Sequence, residues 1–230
     1  MKKIITAFLL LCVCCTLISL GYWQTQRLQW KNNVIKQLNA EYSKNPSEHM
    51  YQFDDLNHNN QILYGSVRGN FVYNKEVLVG PKPLNGDIGY LVITPLKLET
   101  KGYILINRGW IDQNNIRKIE KTHHSGLVSV SGVFRKPDWN SFTPNNSPEN
   151  NIWTKLNIQE IADNKKITPV VSTMLYAETI PKSSDLLVKQ SLRWLPRNKH
   201  KQYAIFWFVM AGVFICLTAT YWKYGRQIQK

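Results

Sequence analysis

Cysteine is missing from the whole middle of this 230-residue chain. The four cysteines lie in two apolar runs near the ends of the sequence, at Cys12, Cys14, Cys15 and Cys216. The segment between these runs therefore cannot form a disulfide framework or a thiolate metal site. Cysteines inside apolar runs are most simply explained as small packing residues.

Motifs of common hydrolase and nucleotide-binding sites are also missing. The sequence has no Gly-x-Ser-x-Gly elbow, no His-Glu-x-x-His pair and no Walker loop. His123 and His124 are adjacent, so their rings cannot share a face on a regular element, and their polar surroundings indicate a solvated loop. Asp54 and Asp55 are most simply a loop or helix-cap pair. These absences argue against an enzyme, although a membrane-anchored enzyme remains an alternative.

Acidic residues are scarce relative to basic ones. The chain has 29 Lys and Arg against 15 Asp and Glu, which gives a net charge of +14. A basic surface can bind nucleic acid, but no nucleic-acid motif or alternation of arginine with aromatic residues is present. Because the chain also carries membrane segments, attraction to anionic lipid headgroups is the simpler explanation of its charge.

The two apolar runs predict membrane helices. They extend from Ile4 to about Gly21 and from Tyr203 to about Trp222, and each is close to the ~20 residues that span a bilayer. The first run resembles a signal peptide, but no small-x-small cleavage site follows it, so we expect a retained helix. The predicted organisation is a transmembrane helix (1–22), an extracytoplasmic β-rich domain with an N-terminal helical extension (23–202), a second transmembrane helix (203–223) and a cytoplasmic tail (224–230).

Charge alone does not fix the orientation of the chain in the membrane, because Lys and Arg flank both ends of the two runs. A chain with two spans has both ends on one side. Long domains are translocated largely regardless of their charge. We therefore place the two ends in the cytoplasm and the domain outside it.

The domain is predicted to be a mainly antiparallel β structure, either a small barrel or a sandwich. Before it, apolar residues at helical spacing predict that the first helix continues out of the bilayer, to Pro46 at the latest. Gly102 ends a predicted hairpin loop in a position that needs positive φ. A short helix is expected around Asn157 to Ala162. The predicted strands are Ile62–Tyr73, Glu76–Val79, Gly89–Leu98, Tyr103–Trp110, Leu127–Phe134 and one between Val170 and Thr179.

His200 stands where the second membrane run begins. On a helix it shares a face with Tyr203 and Trp207, at i, i+3 and i+7, and cations flank it at Arg193, Arg197, Lys199 and Lys201. A haem needs an imidazole for its iron, aromatic walls for its ring and bases for its propionates, and these residue types supply all three. An interfacial histidine that is hydrogen bonded to headgroups or to its own domain fits the same spacing, so both interpretations stay open.

Several spaced motifs are distributed over nearly the whole chain. They are Gly21-Tyr-Trp-Gln-Thr-Gln-Arg27 with Lys31, Gly80-Pro81, Gly89-Tyr-Leu-Val-Ile-Thr-Pro-Leu96, Asn107-Arg-Gly-Trp110, Phe142-Thr-Pro-Asn145, Trp153 and Asn198-x-His200-x-Gln202-Tyr203 with Trp207. In this order they resemble the motifs of the Surfeit locus one family of cytochrome c oxidase assembly factors. Two positions depart from the family pattern. Lys201 replaces a usually apolar residue, and Asn157 stands where aspartate is common.

The resemblance implies an assembly factor without turnover chemistry, in the cell inner membrane with a periplasmic domain, or in the mitochondrial inner membrane if organellar. It further implies binding of haem a and help with its insertion into the largest oxidase subunit. The expected partners are that subunit, the machinery of haem a synthesis and membrane lipids, but no nucleic acid. His200 would be the ligand to the haem iron, Tyr203 and Trp207 its walls, and Arg193 or Arg197 nearest the propionates. A scaffold that never binds haem is the alternative.

Arg108 is a charged residue between the apolar run Tyr103–Ile106 and a tryptophan. Such a side chain either points outwards or is paired. We expect Arg108 to be paired with a carboxylate or a backbone carbonyl and to fix the barrel rim near the membrane.

Overall fold

A computed structural model describes residues 2–57, 61–139, 142–150, 153–180, 185–189, 193 and 195–227. The chain divides into two compact units. One comprises Met1–Asn39 with Leu195–Lys230, and the other comprises Ala40–Trp194. The first unit is helical and the second contains the β domain, so two membrane helices flank a β domain in the sequence, as predicted.

Two long helices, α1 (Lys2–Tyr42) and α4 (His200–Gln227), form most of the helical unit. Both are long and apolar enough to cross a membrane, over Ile4–Tyr42 and His200–Tyr224. The predicted extension of the first membrane helix is confirmed, since α1 continues without a break to Tyr42 and ends before Pro46. The second helix begins at His200 rather than at Tyr203.

The two long helices pack against each other in antiparallel fashion. Gln24 of α1 hydrogen bonds with His200 of α4, and residues between Ala7 and Cys14 line a common cavity with residues between Phe214 and Trp222. The less exposed positions recur at alternating spacings of three and four residues: Cys14, Leu17, Gly21, Gln24, Leu28 and Lys31 on α1, and His200, Ala204, Trp207, Ala211, Phe214 and Thr218 on α4. Such spacing is typical of a left-handed helix pair. These less exposed positions form the seam between the two helices. His200 and Gln24 lie opposite each other on this seam.

Gly21 allows the close approach of these helices. A Cβ atom at this position would lie 2.7 Å from the ring of Phe208. Glycine leaves room for the ring, as small residues commonly do where membrane helices meet.

The β domain contains a six-stranded sheet in the order β1-β5-β6-β4-β3-β2, and an additional pairing of β1 with β3 closes the first five of these strands into a small barrel. The strands are β1 (Leu63–Phe71), β2 (Val77–Leu84), β3 (Asp87–Leu98), β4 (Tyr103–Asp112), β5 (Val128–Arg135) and β6 (Val170–Thr179). All neighbours are antiparallel except β4 and β6, which are parallel. The predicted mainly antiparallel β domain is therefore confirmed, with one parallel pair that the sequence pattern did not indicate.

Strand β2 is longer than predicted because it runs on through Pro81 and Pro83 to Leu84. The ladder between β2 and β3 shifts register between Val79 and Lys82. Proline cannot donate to a ladder and is confined to edge strands or bulges. β2 meets both conditions, since among the six strands it pairs with β3 alone and it is irregular at the prolines.

Strand β4 is the centre of the hydrophobic core, with both of its faces buried. Ile104 and Ile106 pack in one cluster with Phe134 and Leu175. Leu105 packs in a second cluster that includes Trp153. Helix α2 (Phe53–Asn57) contributes to the first cluster and helix α3 (Ile158–Lys165) to the second. The sequence of a strand that is buried on both faces is a continuous apolar run, and Tyr103–Ile106 is such a run.

Two local predictions are confirmed. Gly102 has φ of 73° in the turn between β3 and β4, the region that favours glycine. The predicted short helix is α3, and Asn157 is its N-cap, with its side chain accepting a hydrogen bond from the backbone NH of Glu160. Asparagine caps a helix about as well as aspartate, so the departure from the family pattern at Asn157 leaves the cap intact.

Candidate functional site

His200 is the first residue of α4, and the segment before it is tied to α1. The side chain of Asn198 accepts a hydrogen bond from the backbone NH of His200 at 3.4 Å. Its amide donates to Asn32 at 2.9 Å, and Lys31 Nζ donates to the carbonyl of Arg197 at 2.8 Å. These bonds fix the backbone that carries His200, because the last two join the start of α4 to α1.

The His200 ring is held across the seam by Gln24. Nδ1 of His200 lies 2.6 Å from Oε1 of Gln24, whose side chain is only 9% exposed. An amide oxygen can only accept a hydrogen bond, so Nδ1 is the protonated nitrogen of the neutral ring. The lone pair is then on Nε2, which hydrogen bonds with none of the residues that the structure describes. Metal-binding histidines commonly have one ring nitrogen anchored in this way and the other available.

The two aromatic residues predicted to flank His200, Tyr203 and Trp207, differ in their position on α4. Trp207 lies on the half-buried face of α4, two turns after His200, with its ring edge-on to Phe206 at 5.3 Å. Tyr203 is 53% exposed and lies at the margin of that face. Trp207 therefore shares the side of His200 more closely than Tyr203 does.

Cations collect at the same end of the helical unit. Lys31 and Arg27 are near enough to act electrostatically on His200, and the guanidinium of Arg27 lies over the ring of Trp30 at 4.1 Å. The backbone of Arg197 is bonded to Lys31. An electropositive rim beside an available imidazole suits a ligand with carboxylates. Arg27 and Lys31 were not among the predicted site residues, since the sequence does not show that their turn of α1 faces His200.

Arg193 lies in the β domain and is engaged there. Its guanidinium contacts the carboxylate of Glu178 at 3.1 Å and the hydroxyl of Tyr64 at 3.1 Å, and Tyr64 donates to Glu178 at 2.8 Å. The bond to Glu178 raises the pKa of Arg193, and burial raises the pKa of Tyr64. These contacts join Arg193 to Tyr64 of β1 and to Glu178 of β6. Its proximity to propionates stays a prediction.

A buried ion pair lies in the β domain. Arg108 is 1% exposed, and its Nη1 lies 2.8 Å from Oε2 of Glu76, which is 8% exposed. Nη2 donates to the carbonyl and the hydroxyl of Thr122, and Thr94 donates to Glu76. The predicted pairing of Arg108 with a carboxylate or a carbonyl is thus confirmed for both partners.

His123 and His124 lie in a loop, as predicted, but both residues are half-buried rather than fully solvated. The ring of His123 stacks on Tyr73 at 3.8 Å with an angle of 13°, and its Nε2 lies 3.5 Å from Oε1 of Glu76. The backbone NH of His124 donates to the hydroxyl of Tyr73 at 2.7 Å. Burial raises the pKa of Tyr73. The sequence did not reveal this packing, because the partners come from a segment far away in the chain.

Within the residues that the structure describes, no three or more His, Cys, Asp or Glu side chains group so as to hold a metal ion.

The sequence model of the SURF1 family matches residues 11–212. The chain is 30% identical over 222 residues to a SURF1-like protein of Monosiga brevicollis, an alignment that covers 90% of this chain and 82% of the relative. It is 29% identical over 220 residues to a SURF1-like protein of Rickettsia felis, covering 92% and 93% of the two chains. It is 27% identical over 244 residues to Surfeit locus protein 1 of Xenopus tropicalis, covering 97% and 76%.

In the sequence, two helices that are long and apolar enough to cross a membrane flank a small β barrel, and His200 begins the second of these helices. The chain belongs to the SURF1 family. This is a family of oxidase assembly factors and is not an enzyme family. Its relatives occur in both bacteria and eukaryotes.

Proposed function

We propose that this protein assists the assembly of cytochrome c oxidase by binding haem a and aiding its insertion into the largest oxidase subunit. The observation that carries the proposal is the geometry of His200. Its Nδ1 is anchored to Gln24 at 2.6 Å, and its Nε2 is left available at the start of an apolar helix. Family membership supports the assembly role, and the geometry of this residue supports the choice of cargo.

The residues around His200 fit a haem. The neutral imidazole offers a nitrogen lone pair, which is a common protein ligand to haem iron. Trp207, with Tyr203 at the margin, offers flat apolar surface beside it. Lys31, Arg27 and Arg197 are the cations of the same unit, and they would accommodate propionates. In the bound complex the iron would accept the lone pair of His200 Nε2.

The residues of the site also suit release of the cargo. His200 is the one ionisable side chain on the seam-facing side of α4 within the described residues, so a single protein bond would hold the iron. The exposed faces of α4 carry Tyr203, Ile205 and Phe206, each more than half exposed. A ligand held by one bond against a helix with an open side can pass to a partner, whereas an enclosed pocket would retain it.

The proposed location follows from the function. The β domain would face the periplasm from the inner membrane of a bacterium, or the intermembrane space from the inner membrane of an organelle. Its partners would be the largest oxidase subunit, the machinery that synthesises haem a and the surrounding lipid. The two membrane-compatible helices support a protein with both ends on one side of the bilayer.

Replacement of His200 tests the proposal. Full-length protein in detergent should bind haem a with a histidine-ligated spectrum, and His200→Ala should lose most of that binding. His49→Ala is the matched control, because His49 belongs to the unit that contains the β domain and its side chain contacts a nearby residue, the carbonyl of Asn45 at 3.2 Å. The control should bind like the wild type. A His200→Ala protein with wild-type spectrum and stoichiometry would exclude His200 as the ligand.

A haem-independent scaffold is the second candidate, and one observation favours it. The same bond between His200 and Gln24 would serve a purely structural histidine, because it joins α1 to α4 across an apolar seam. In that case His200→Ala should lower the melting temperature of the helical unit, and wild-type protein should bind no haem. The haem titration together with a melting curve therefore separates the two functions.

A further inference from the structure

Gln24 is a buried amide on a face of α1 that is otherwise mostly apolar. Its side chain is 9% exposed and lies between Gly21 and Leu28 on the seam with α4. Burying an amide without a partner is costly, so its hydrogen-bond partner is structurally important. That partner is Nδ1 of His200, 2.6 Å away.

We propose that Gln24 is the positioning residue for His200, and that it sets the ring tautomer and orientation that make Nε2 the ligand atom. The inference rests on the proposed function, since it names the residue that prepares the same site. Gln24 would not touch the iron or the haem ring. It would act through the Nδ1–H bond, which fixes two properties of the imidazole at once.

The first property is the tautomer. Neutral imidazole carries one N–H, and the partner of one nitrogen decides where the proton resides. The acceptor Oε1 of Gln24 stabilises the proton on Nδ1 and so leaves Nε2 unprotonated. A histidine without this partner would divide its population between two tautomers, and only one of them could bind through Nε2.

The second property is the orientation of the ring. The backbone of His200 is fixed by Asn198 and by the bond from Lys31 to the carbonyl of Arg197. Gln24 then fixes the side chain from the facing helix, so the ring is held at both ends. Partners of this kind, which hold a metal ligand without touching the metal, typically contribute ~10–100-fold to metal affinity.

The test compares acceptor and non-acceptor side chains at position 24. Gln24→Met keeps the length of the side chain but cannot accept the Nδ1–H bond. Gln24→Glu keeps an acceptor oxygen and should rescue the site. Gln26→Met is the matched control, because Gln26 is on the same helix and is exposed.

The first measurement needs no haem. Nitrogen NMR of ¹⁵N-histidine-labelled full-length protein in detergent, above the titration range of imidazole, should show His200 protonated on Nδ1 in the wild type, in Gln24→Glu and in Gln26→Met. Gln24→Met should show a mixture of tautomers. A wild-type ring protonated on Nε2, or an unchanged ring in Gln24→Met, would overturn the proposal.

The second measurement adds haem a. We expect Gln24→Met to bind it about 10–100-fold more weakly. Gln24→Glu should bind like the wild type, with the iron reduction potential shifted to a more negative value, because a carboxylate makes the imidazole more electron-rich. Equal haem affinity in Gln24→Met and wild type would overturn the proposal. If wild-type protein binds no haem, the proposed function fails, while the NMR result still decides whether Gln24 sets the state of His200.

Discussion

Removal of the Arg108 charge should destabilise the β domain strongly. Arg108→Met keeps an unbranched stem that can pack near the rings of Phe71 and Tyr73, which lie 5.5 and 5.1 Å from the guanidinium carbon. It leaves Glu76, which is 8% exposed, without its cation. Breaking a buried pair by removal of one partner costs about 3–5 kcal/mol, because the other charge stays buried.

The loss of stability in Arg108→Met can be compared with the loss expected when an exposed ion pair is broken. Arg68 and Glu99 lie 3.7 Å apart and are 50% and 54% exposed, so Arg68→Met should cost less than about 1 kcal/mol. At about 2–4 °C per kcal/mol for a chain of this size, Arg108→Met should lower the melting temperature by roughly 6–20 °C. Thermal unfolding of the full-length protein in detergent, with hydrogen exchange to locate the change in the barrel strands, measures both variants.

The double variant Arg108→Met with Glu76→Met provides the decisive comparison. It removes both charges, and apolar replacements of a buried ion pair are often close to neutral. The double variant should therefore be more stable than Arg108→Met alone. The reasoning would be refuted if Arg108→Met were no more destabilising than Arg68→Met, or if the second substitution only added further loss.

Two further predictions concern Gly102 in the turn after β3 and the orientation of the chain. The control for Gly102 is Gly126→Ala, which should cost about 1–2 kcal/mol because of the φ of 88° alone, since nothing lies within 4 Å of the new Cβ. Gly102→Ala should cost about 1–3 kcal/mol more than Gly126→Ala, because its Cβ would lie 2.5 Å from the Phe53 ring. Equal melting temperatures for the two variants would contradict this clash. In a background where the four native cysteines are alanine, a membrane-impermeant maleimide applied from outside spheroplasts should label Lys118→Cys on the β domain but not Tyr224→Cys at the end of α4. Labelling of the second position alone would reverse the proposed topology.

Much of the fold is readable from local patterns. The six strands, the continuation of α1 and the positive φ of Gly102 follow from apolar periodicity and from turn residues, which act over short distances in the chain. The parallel pairing of β4 with β6 does not, because it depends on which strands meet after the chain has passed through β5 and α3. The extra length of β2 was missed because prolines usually end a strand, except at an edge.

The candidate site was readable only in part. His200 is conspicuous because ionisable residues within membrane segments are energetically costly and are commonly functional. Gln24 is conspicuous only once α1 and α4 are paired, since Thr25 and Gln26 directly after it are polar as well. An available signal was the spacing of three and four residues that joins Gly21, Gln24 and Leu28 on one side of α1.

The most direct test of the central claim is the haem a content of the oxidase itself. Cells that make haem a but lack this protein would be complemented with wild type, with His200→Ala or with His49→Ala, each brought to equal abundance. The haem a bound to the largest oxidase subunit would then be measured from the difference spectrum of the purified enzyme. We predict that wild type and His49→Ala restore it and that His200→Ala does not. Full restoration by His200→Ala would contradict delivery of haem a through this residue.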